Sequence, residues 1–432
     1  MANVRPPRIP RITEASLVSF VLVVLNYAGY YLFGWPLATE WIAEWIMAHT
    51  PNSQSVWMLT NLGAWAKPLA VTGGLATLGF LTWVAMTALR TREFARGRRE
   101  FLTSVTMTGA TAAVAVESYW RDQRFAAQAK QPVPLFTPRV PDDGFAPGLV
   151  RKPITPVGQF YVMSKNTVDP ALDPDTWRLK ITVAGKTLRE LSYRELLSAP
   201  HDRRFQTLRC VSNTLKSDLM GTAEWAGLPL SKLVSPSDLP EGIVEMAVIG
   251  VDGHGDSFKP EYAFTAEPML AIGMNGSTLN RNHGYPARLL APRYYGFKNI
   301  KWIAEIAFVR QPYIGTWPKL GYTKEPVIHT CSFIDRIRRE GSRLRVGGVS
   351  FAGVRGVKQV QVRVAGGPWA EAVLEPVLSA YTLTRWQAEL EASTTAEFLE
   401  ARALDGTGQW QSDVERPLFP DGMSGPTRRR IS

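Results

Sequence analysis

Cysteine is scarce: Cys210 and Cys331 are the only two among 432 residues. Two cysteines cannot build a disulfide framework, and nothing in their surroundings demands that they pair. No CxxC, HExxH or Walker-type motif occurs, so those metal-binding and phosphate-binding signatures are absent. The five histidines, His49, His201, His254, His283 and His329, lie outside the apolar runs, which argues against a bis-histidine haem held between membrane helices. No CxxCH attaches a haem, so no haem is expected in this chain. The net charge is +11, yet no nucleic-acid module is recognisable and many basic residues flank apolar runs, so nucleic acid is not an expected partner.

What is present is unevenly spread. The length suits two or three domains, and the long apolar runs all fall in the first 120 residues. Residues 17–35 carry no charge, and Tyr27, Tyr30, Tyr31 and Trp35 gather toward their far end. A charge-free run of about twenty residues spans a bilayer and interfacial aromatics mark its edge; a buried core helix would show a polar face, and there is none. Residues 36–67 place Leu37, Trp41, Ile42, Trp45 and Ile46 on one helical face, which fits an interfacial helix or a plain amphipathic loop helix. A second apolar run covers 68–89 and a shorter one 101–116, with Arg90, Arg92, Arg96, Arg98 and Arg99 between them. The positive-inside rule puts the N-terminus in the cytoplasm and everything after about residue 118 outside. The expected localisation is the cytoplasmic membrane, with the remaining domains on its periplasmic or extracellular side. The link reads Arg98-Arg99-Glu100-Phe101-Leu102, which resembles the twin-arginine export motif except that Gly97 stands where Ser or Thr is usual. The same arginines also suffice to set topology, and the third run is either retained as an anchor or cleaved near Ala115.

Residues 1–117 therefore read as a membrane anchor with two to three transmembrane helices. Residues 118–157 form a proline-rich linker, with Pro132, Pro134, Pro138, Pro141, Pro147, Pro153 and Pro156 excluding a helix. From residue 158 the pattern turns to mixed short strands of an α+β class. Trp177, Leu179, Ile181 and Val183 alternate with Arg178, Lys180 and Thr182, a strand with one buried face closed by an Ala184-Gly185-Lys186 turn. A short helix capped near Ser192 is expected over 188–198, and strands over 205–211 and 244–251. Cys210 sits at the end of such a strand with Ser212, Asn213, Lys216 and Asp218 behind it. A cysteine in polar company is not a usual core cysteine, and a soft thiolate suits a soft metal. A second cluster, 283–306, threads His283, Arg288, Arg293, Lys298 and Lys301 among glycines, prolines, Tyr294, Tyr295, Phe297 and Trp302. Basic groups on such a segment can converge on a phosphate, and the aromatics imply that it is partly buried.

Six short stretches then occur in one order: Phe160-Tyr161-Val162, Leu208-Arg209-Cys210-Val211-Ser212-Asn213, Trp225-Ala226-Gly227-Leu228-Pro229-Leu230, Met274-Asn275-Gly276, His283-Gly284-Tyr285-Pro286-Ala287-Arg288, and Tyr295-Gly296-Phe297-Lys298-Asn299-Ile300-Lys301-Trp302. Each is weak alone. Together, over roughly residues 155–420, they resemble the sulfite oxidase family of molybdopterin enzymes, in its membrane-anchored bacterial form. The resemblance implies a molybdenum–molybdopterin cofactor, with Cys210 as the metal ligand and with Arg288, Lys298 and Lys301 at the pterin phosphate. It places His283 against the cofactor, with Asn166, Asp256 and Ser257 near the pterin. It implies oxygen-atom transfer on a small oxyanion, with electrons passing to a separate cytochrome or quinone-linked partner.

One departure bears on substrate. The family commonly carries an arginine after the Phe-Tyr-Val-like strand, and this chain reads Met163-Ser164-Lys165-Asn166. Lys165, Arg209 or Lys216 would then have to supply the positive charge, and a sulfoxide of the methionine-sulfoxide type becomes an alternative substrate. Residues 158–324 are expected to form the molybdopterin-binding domain. Residues 325–420 read as all-β: Val360, Val362 and Val364 alternate with polar neighbours, Trp369 and Trp386 are expected between sheets, and Asp405-Gly406-Thr407-Gly408 marks a hairpin. This resembles the immunoglobulin-like dimerisation domain of the same family, so a homodimer is expected. Cys331 reads as a small buried residue, and residues 421–432, with Arg428, Arg429 and Arg430, as a disordered tail. A membrane-tethered, non-enzymatic scaffold would account for the anchor and the β domain but not for Cys210 or the basic-aromatic cluster.

Overall fold

The computed structural model describes residues 132–145, 148–166, 169–214, 218–392 and 397–431. The apolar runs, the Arg98-Arg99 motif, the first part of the linker and Lys216 lie outside the described residues. Among the described residues no helix is long and apolar enough to cross a membrane. The chain divides into two compact units: Met1–Ala129 with Ser164–Val168, and Lys130–Met163 with Asp169–Ser432. In the first, Asn166 is buried; the remainder concerns the second.

Two sheets build its central part. The first contains β1 (Arg178–Val183), β2 (Lys186–Ser192), β5 (Glu245–Gly250), β6 (Gly255–Phe258) and β10 (Ile303–Val309), in the order β2-β1-β10-β5-β6. The β1 alternation does what its period requires: Leu179 and Ile181 are fully buried while Arg178 and Lys180 face solvent. Ala184 and Gly185 both take positive φ in the two-residue turn to β2, which keeps the hairpin twist right-handed. The helix expected over 188–198 is shorter. Only α1 (Tyr193–Ser198) is helical, with Ser192 and Glu195 forming a reciprocal capping box. Residues 187–191 instead pair with β1, because an edge partner for that buried strand outweighs local helix preference.

The second sheet joins β3 (Asp202–Arg209), β4 (Met220–Pro229), β7 (Met269–Met274) and β8 (Ser277–Thr278), with β9 (Arg288–Leu290) paired to β7. All of β4 but its last residue is buried, because both faces of the strand are covered. Leu228, Leu270, Ile272 and Leu289 join Leu179, Ile181, Val248 and Phe308 in a core shared with the first sheet. On the other side Leu208, Trp225, Met269 and Leu290 pack around Phe160.

The arm 132–160 lies on this sheet. Pro134 bridges Ser277, Leu135 donates to the Gly276 carbonyl at 2.8 Å, and Thr155 donates to that of Thr222 at 2.8 Å. Arg139 from the arm and Arg203 from β3 both hold the Glu224 carboxylate, at 2.5 and 2.9 Å, and that side chain is 1% exposed. A buried carboxylate with two guanidiniums clamps the arm down, since releasing either leaves a charge short of partners.

Two further sheets form a sandwich. One has β11 (Cys331–Glu340), β12 (Arg343–Phe351), β15 (Val373–Leu374) and β16 (Thr384–Glu391); the other has β13 (Val357–Val364), β14 (Ala370–Glu371), β17 (Phe398–Asp405) and β18 (Thr427–Arg430). Leu344, Val346 and Trp386 meet Val360, Val362, Leu399 and Ala401 between them. Trp386 is buried as expected, but Trp369 is not. It is half-buried and lies between the guanidiniums of Arg363 and Arg402, at 4.2 and 4.3 Å, so the cations take the place of a second sheet. The tail is likewise corrected. Thr427–Arg430 pairs with β17, Arg428 binds Glu400 at 2.8 Å and Arg429 donates to the Ile334 and Asp335 carbonyls. Strand pairing thus orders three arginines that composition alone reads as unstructured.

The sandwich also covers the outer side of β3. Thr207 donates to the Tyr381 carbonyl at 3.0 Å, Leu383 donates to the Thr207 hydroxyl at 2.9 Å, and the Ser379 hydroxyl donates to the Phe205 carbonyl at 2.5 Å. An otherwise open edge strand is satisfied in this way. Gly348 in β12 has no room for a side chain: a Cβ would stand 2.1 Å from the Phe333 carbonyl oxygen and 2.4 Å from the Trp386 ring. Gly348→Ala is expected to cost about 2–3 kcal/mol through overpacking, read as a lower urea midpoint at unchanged slope; an unaltered midpoint would show that the sheet absorbs the methyl.

Candidate functional site

Cys210 follows directly on β3, where the strand leaves its sheet at the junction with the sandwich. Cys210, Val211, Met220 and Tyr295 share an apolar cluster with Cys331, Phe333, Val349 and Phe351, joined by Phe145, Leu149 and Val150 of the arm. The loop back to β4 is closed by local bonds: Cys210 N–H to the Leu219 carbonyl at 2.9 Å, Leu219 N–H to Asn213 Oδ1 at 2.9 Å, and Asn213 N–H to the Cys210 carbonyl at 3.1 Å. Both cysteines are free and buried. Burial raises the Cys210 thiol above its ordinary range, opposed by hydrogen bonds from Ser212 and by the charge of Arg209. Without a metal the group is a neutral thiol; a metal binds it by displacing the proton.

Two tyrosines flank it. The Tyr161 hydroxyl is buried and close enough to feel both Cys210 and Arg288; burial and Cys210 push its pKa up while Arg288 opposes. Tyr322 is raised by burial and by Cys210 in the same way. Both hydroxyls keep their protons at neutral pH and can donate. Tyr161 is seated by Gly296, where a Cβ would stand 2.7 Å from its oxygen and 3.5 Å from the Cys210 Cα. Phe160, one residue earlier, rests on Gly221, where a Cβ would meet its ring at 2.8 Å. Two consecutive aromatics each occupy the space a glycine leaves.

Arg288, at the start of β9, is buried and has no carboxylate partner among the described residues. Nη1 donates to the His283 carbonyl and Nη2 to that of Asn299, both at 3.1 Å, Nε is buried without a hydrogen-bond partner, and the guanidinium lies 5.4 Å from the Trp225 ring centre. Burial lowers its pKa to about 10, so the cation persists. His283 and Lys301 share its turn. At Gly284, φ +105°, a Cβ would stand 3.1 Å from the Cβ atoms of both Arg288 and Lys301. Lys301 donates to the Asn282 carbonyl at 2.9 Å and lies 4.0 Å from the Trp302 ring centre.

Lys298 belongs to a different pair. Its ammonium is 3.0 Å from Asp256 Oδ1, also donates to the Ser257 carbonyl, and lies 4.6 Å from the Phe258 ring centre. Burial pushes Lys298 down and Asp256 up, and their mutual attraction opposes both shifts. Asp256 Oδ1 also accepts the Ser257 N–H at 2.8 Å, and the Ser257 hydroxyl donates to the Tyr313 carbonyl at 3.0 Å. Asp256 Oδ2 is buried without a hydrogen-bond partner. Lys298 thus comes with its own counter-ion, whereas Arg288 does not.

The structure therefore brings Cys210 and Arg288 together around Tyr161, joins His283 and Lys301 to Arg288, and connects Lys298, Asp256 and Ser257 through the segment that also supplies Asn299. Asn166 belongs to the other compact unit, and Lys216 lies outside the described residues. Arg209 is nearly fully buried and turned toward Tyr295, Phe333 and the His329 carbonyl, which it meets at 3.2 Å. Its charge acts on Cys210 through space without facing outward. Sequence reasoning missed Tyr322 and the use of the Tyr161 hydroxyl: neither periodicity nor motif spacing says which aromatic ends beside a distant cysteine.

Among the described residues no group of three His, Cys, Asp or Glu could hold a metal. A site with one buried thiol suits a metal whose remaining donors come from an organic group. The buried Arg288 guanidinium without a carboxylate suits an anionic part of that group, because a buried cation without a counter-charge is costly. The residues fit a molybdenum–pterin cofactor on both counts.

Burial, with Arg288 second, lowers His283 from its ordinary 6.5 to about 4; Lys301 adds to the effect, and a bond to the Val157 carbonyl and Asp169 oppose it. Between those values the unfolded chain binds more protons than the folded one. Stability is therefore full above about pH 6.5 and falls toward pH 4, by about 3 kcal/mol. Urea titrations at pH 7 and 4.5 are expected to show a smaller acid loss in His283→Gln than in wild type; equal losses would discount this histidine.

Residues 166–317 match the family model described as oxidoreductase molybdopterin binding domain. The chain is 28% identical to mitochondrial sulfite oxidase of Rattus norvegicus over 323 residues, covering 62% of this chain and 58% of the rat protein. It is 23% identical to sulfite oxidase of Arabidopsis thaliana over 358 residues, covering 68% of this chain and 89% of the plant protein. The chain thus spans less than two thirds of the rat protein. In fold it is similar to the sulfane dehydrogenase SoxCD from Paracoccus pantotrophus, with a TM-score of 0.55 at 20% identity, covering 72% of this chain and 92% of that one. The mostly-strand body that positions Cys210 and Arg288 is thus similar over residues 166–317 to a molybdopterin-binding domain and, in sequence, to sulfite oxidases.

Proposed function

We propose that this protein is a molybdenum-cofactor oxidoreductase that transfers an oxygen atom to or from a small substrate. The observation that carries the reading is the pairing of Cys210, a buried thiol with no cluster of protein ligands among the described residues, with Arg288, a buried cation with no carboxylate partner among them. When bound, the molybdenum cofactor supplies two-electron redox chemistry coupled to gain or loss of an oxygen atom. Cys210 gives up its proton and holds the metal as a thiolate; it is a ligand and not a nucleophile. Arg288 and Lys301 bind the anionic part of the pterin. Lys298, held by Asp256 and the Ser257 carbonyl, offers its one remaining N–H to the same group. His283, neutral at physiological pH, contacts it without adding charge. Tyr161 and Tyr322 donate hydrogen bonds toward a substrate oxygen beside Cys210, and Phe297 and Leu219 exclude water from that space.

In this proposal residues 1–117 anchor the protein in the cytoplasmic membrane, with the N-terminus in the cytoplasm and the catalytic body outside, exported through the Arg98-Arg99 signal. The sandwich serves as an immunoglobulin-like dimerisation domain, and a separate cytochrome or quinone-linked partner exchanges the electrons. Sulfite is the first substrate to assay. A second reading, a methionine-sulfoxide-type substrate, is favoured by Met163, which packs against the cluster holding Cys210, as Tyr161, Leu219, Phe297 and Tyr322 do, where the related family commonly has an arginine.

Protein produced in a cofactor-competent host is expected to hold about one molybdenum per chain by elemental analysis, one thiolate ligand being the site's stoichiometry. Cys210→Ala is expected to remain folded and to lose turnover of sulfite or methionine sulfoxide. Arg288→Met is expected to retain less pterin after gel filtration. Wild-type protein without molybdenum, or a fully active Cys210→Ala, would sink the reading.

A further inference from the structure

The C-terminal end of the sandwich reaches back to the site. Residues 416–424 form a closed turn: Arg416 bridges Ser424 with its N–H on the Ser424 carbonyl at 3.0 Å, and Gly422 donates to the Leu418 carbonyl at 2.7 Å. This turn touches the central part at four places. Phe419 meets the Tyr322 ring edge-on at 5.1 Å and 79°. Thr323 donates to the Pro420 carbonyl at 3.2 Å. Asp421 Oδ2 lies 3.5 Å from His329 Nε2. Gly422, φ +93°, faces Tyr295 so closely that a Cβ would stand 2.6 Å from its hydroxyl oxygen.

Both tyrosines it touches belong to or pack against the apolar cluster that holds Cys210. Tyr322 is also held edge-on by Phe297 at 6.0 Å and by Trp317 at 5.7 Å, so Phe419 supplies one of three rings around it. Gly321, φ +91°, allows that approach, since a Cβ there would meet the Phe419 ring at 3.0 Å. Tyr295 accepts from the His329 N–H at 3.2 Å and from Arg209 Nη1 at 3.4 Å, and Arg209 precedes Cys210 in the chain. The turn thus touches both Tyr322, which packs against the cluster holding Cys210, and Tyr295, which accepts from Arg209.

We propose that the 416–424 turn is a positioning element of the active site, with Phe419 fixing the Tyr322 hydroxyl beside Cys210 and Gly422 fixing Tyr295 behind it. This rests on the proposed oxygen-atom transfer only for its catalytic consequence; the bracing itself belongs to the polypeptide. Phe419 touches Tyr322 and acts through it. Removing the Phe419 ring leaves a void beside Tyr322, and a donor displaced by about 1 Å can cost on the order of a hundredfold in rate.

Two measurements on the full chain test this. In cofactor-free protein, the labelling rate of Cys210 by a maleimide is followed by peptide mass spectrometry, with Cys331 as internal reference. Phe419→Leu is expected to raise the Cys210 rate about tenfold relative to Cys331 by loosening the wall, and Phe419→Trp, which restores a ring, to bring it back. Equal relative rates in all three proteins would overturn the bracing, whatever the activity. In cofactor-loaded protein, with sulfite as probe and ferricyanide as acceptor, Phe419→Leu is expected to lower kcat at unchanged molybdenum content. Its effect should be largely lost in a Tyr322→Phe background, because the ring acts through that hydroxyl. Additive losses would overturn the route through Tyr322. Loaded wild-type protein that turns over neither sulfite nor methionine sulfoxide would count against the proposed function alone, leaving the labelling rates to decide the bracing. If Phe419→Leu does not fold, Phe419→Met is compared in the same two measurements.

Discussion

Arg288 is a buried guanidinium with no carboxylate partner among the described residues. Its donors end on two backbone carbonyls, its Nε is left over, and an indole lies beside it. Holding such a charge inside protein costs several kcal/mol, and much of the surrounding structure follows from it. The Gly284 turn brings Lys301 and His283 against it, and His283 is kept neutral chiefly by burial, with the charge of Arg288 second. Trp225 sits on a strand buried on both faces, so the platform beside the guanidinium cannot shift. Lys298 differs in that its charge is met by Asp256, whereas among the described residues Arg288 has backbone carbonyls as its hydrogen-bond partners and no carboxylate.

Cys210 depends on a second constraint, the covering of β3. An edge strand would be free to twist away; here its outward groups are taken by residues 379–383 of the sandwich and its inward side by β4. The cysteine leaves that strand at a junction of central sheet, sandwich and arm, so three separated stretches of chain determine where the thiol points. The arm is fastened by Arg139 and Arg203 on the buried Glu224, and the sandwich returns through the 416–424 turn. Cys210 is buried at that junction although it lies in a short loop.

The sequence alone determined the parts governed by local periodicity and local bonding. The β1 alternation, the Ser192 cap, the polar loop after Cys210, the valine alternation of β13 and the basic-aromatic run at 283–302 were all legible, because each expresses a period of two, a capping box or a turn-former within a few residues. Only the tertiary structure decided the rest. Residues 187–191 became a strand because β1 needed an edge partner. Arg428–Arg430 became ordered because β17 offered carbonyls and Glu400 a charge. Trp369 moved to an outer face because two arginines from neighbouring strands enclose it. Arg209 turned inward, Lys298 acquired Asp256, and Tyr322 arrived beside Cys210 through contacts between residues far apart in the chain. Strand pairing, ion pairing and ring packing join positions that no window of sequence contains. The residue types at the site could therefore be named from the sequence, while the division between Lys298, paired with a carboxylate, and Arg288, bonded to backbone carbonyls, could be read only from the fold.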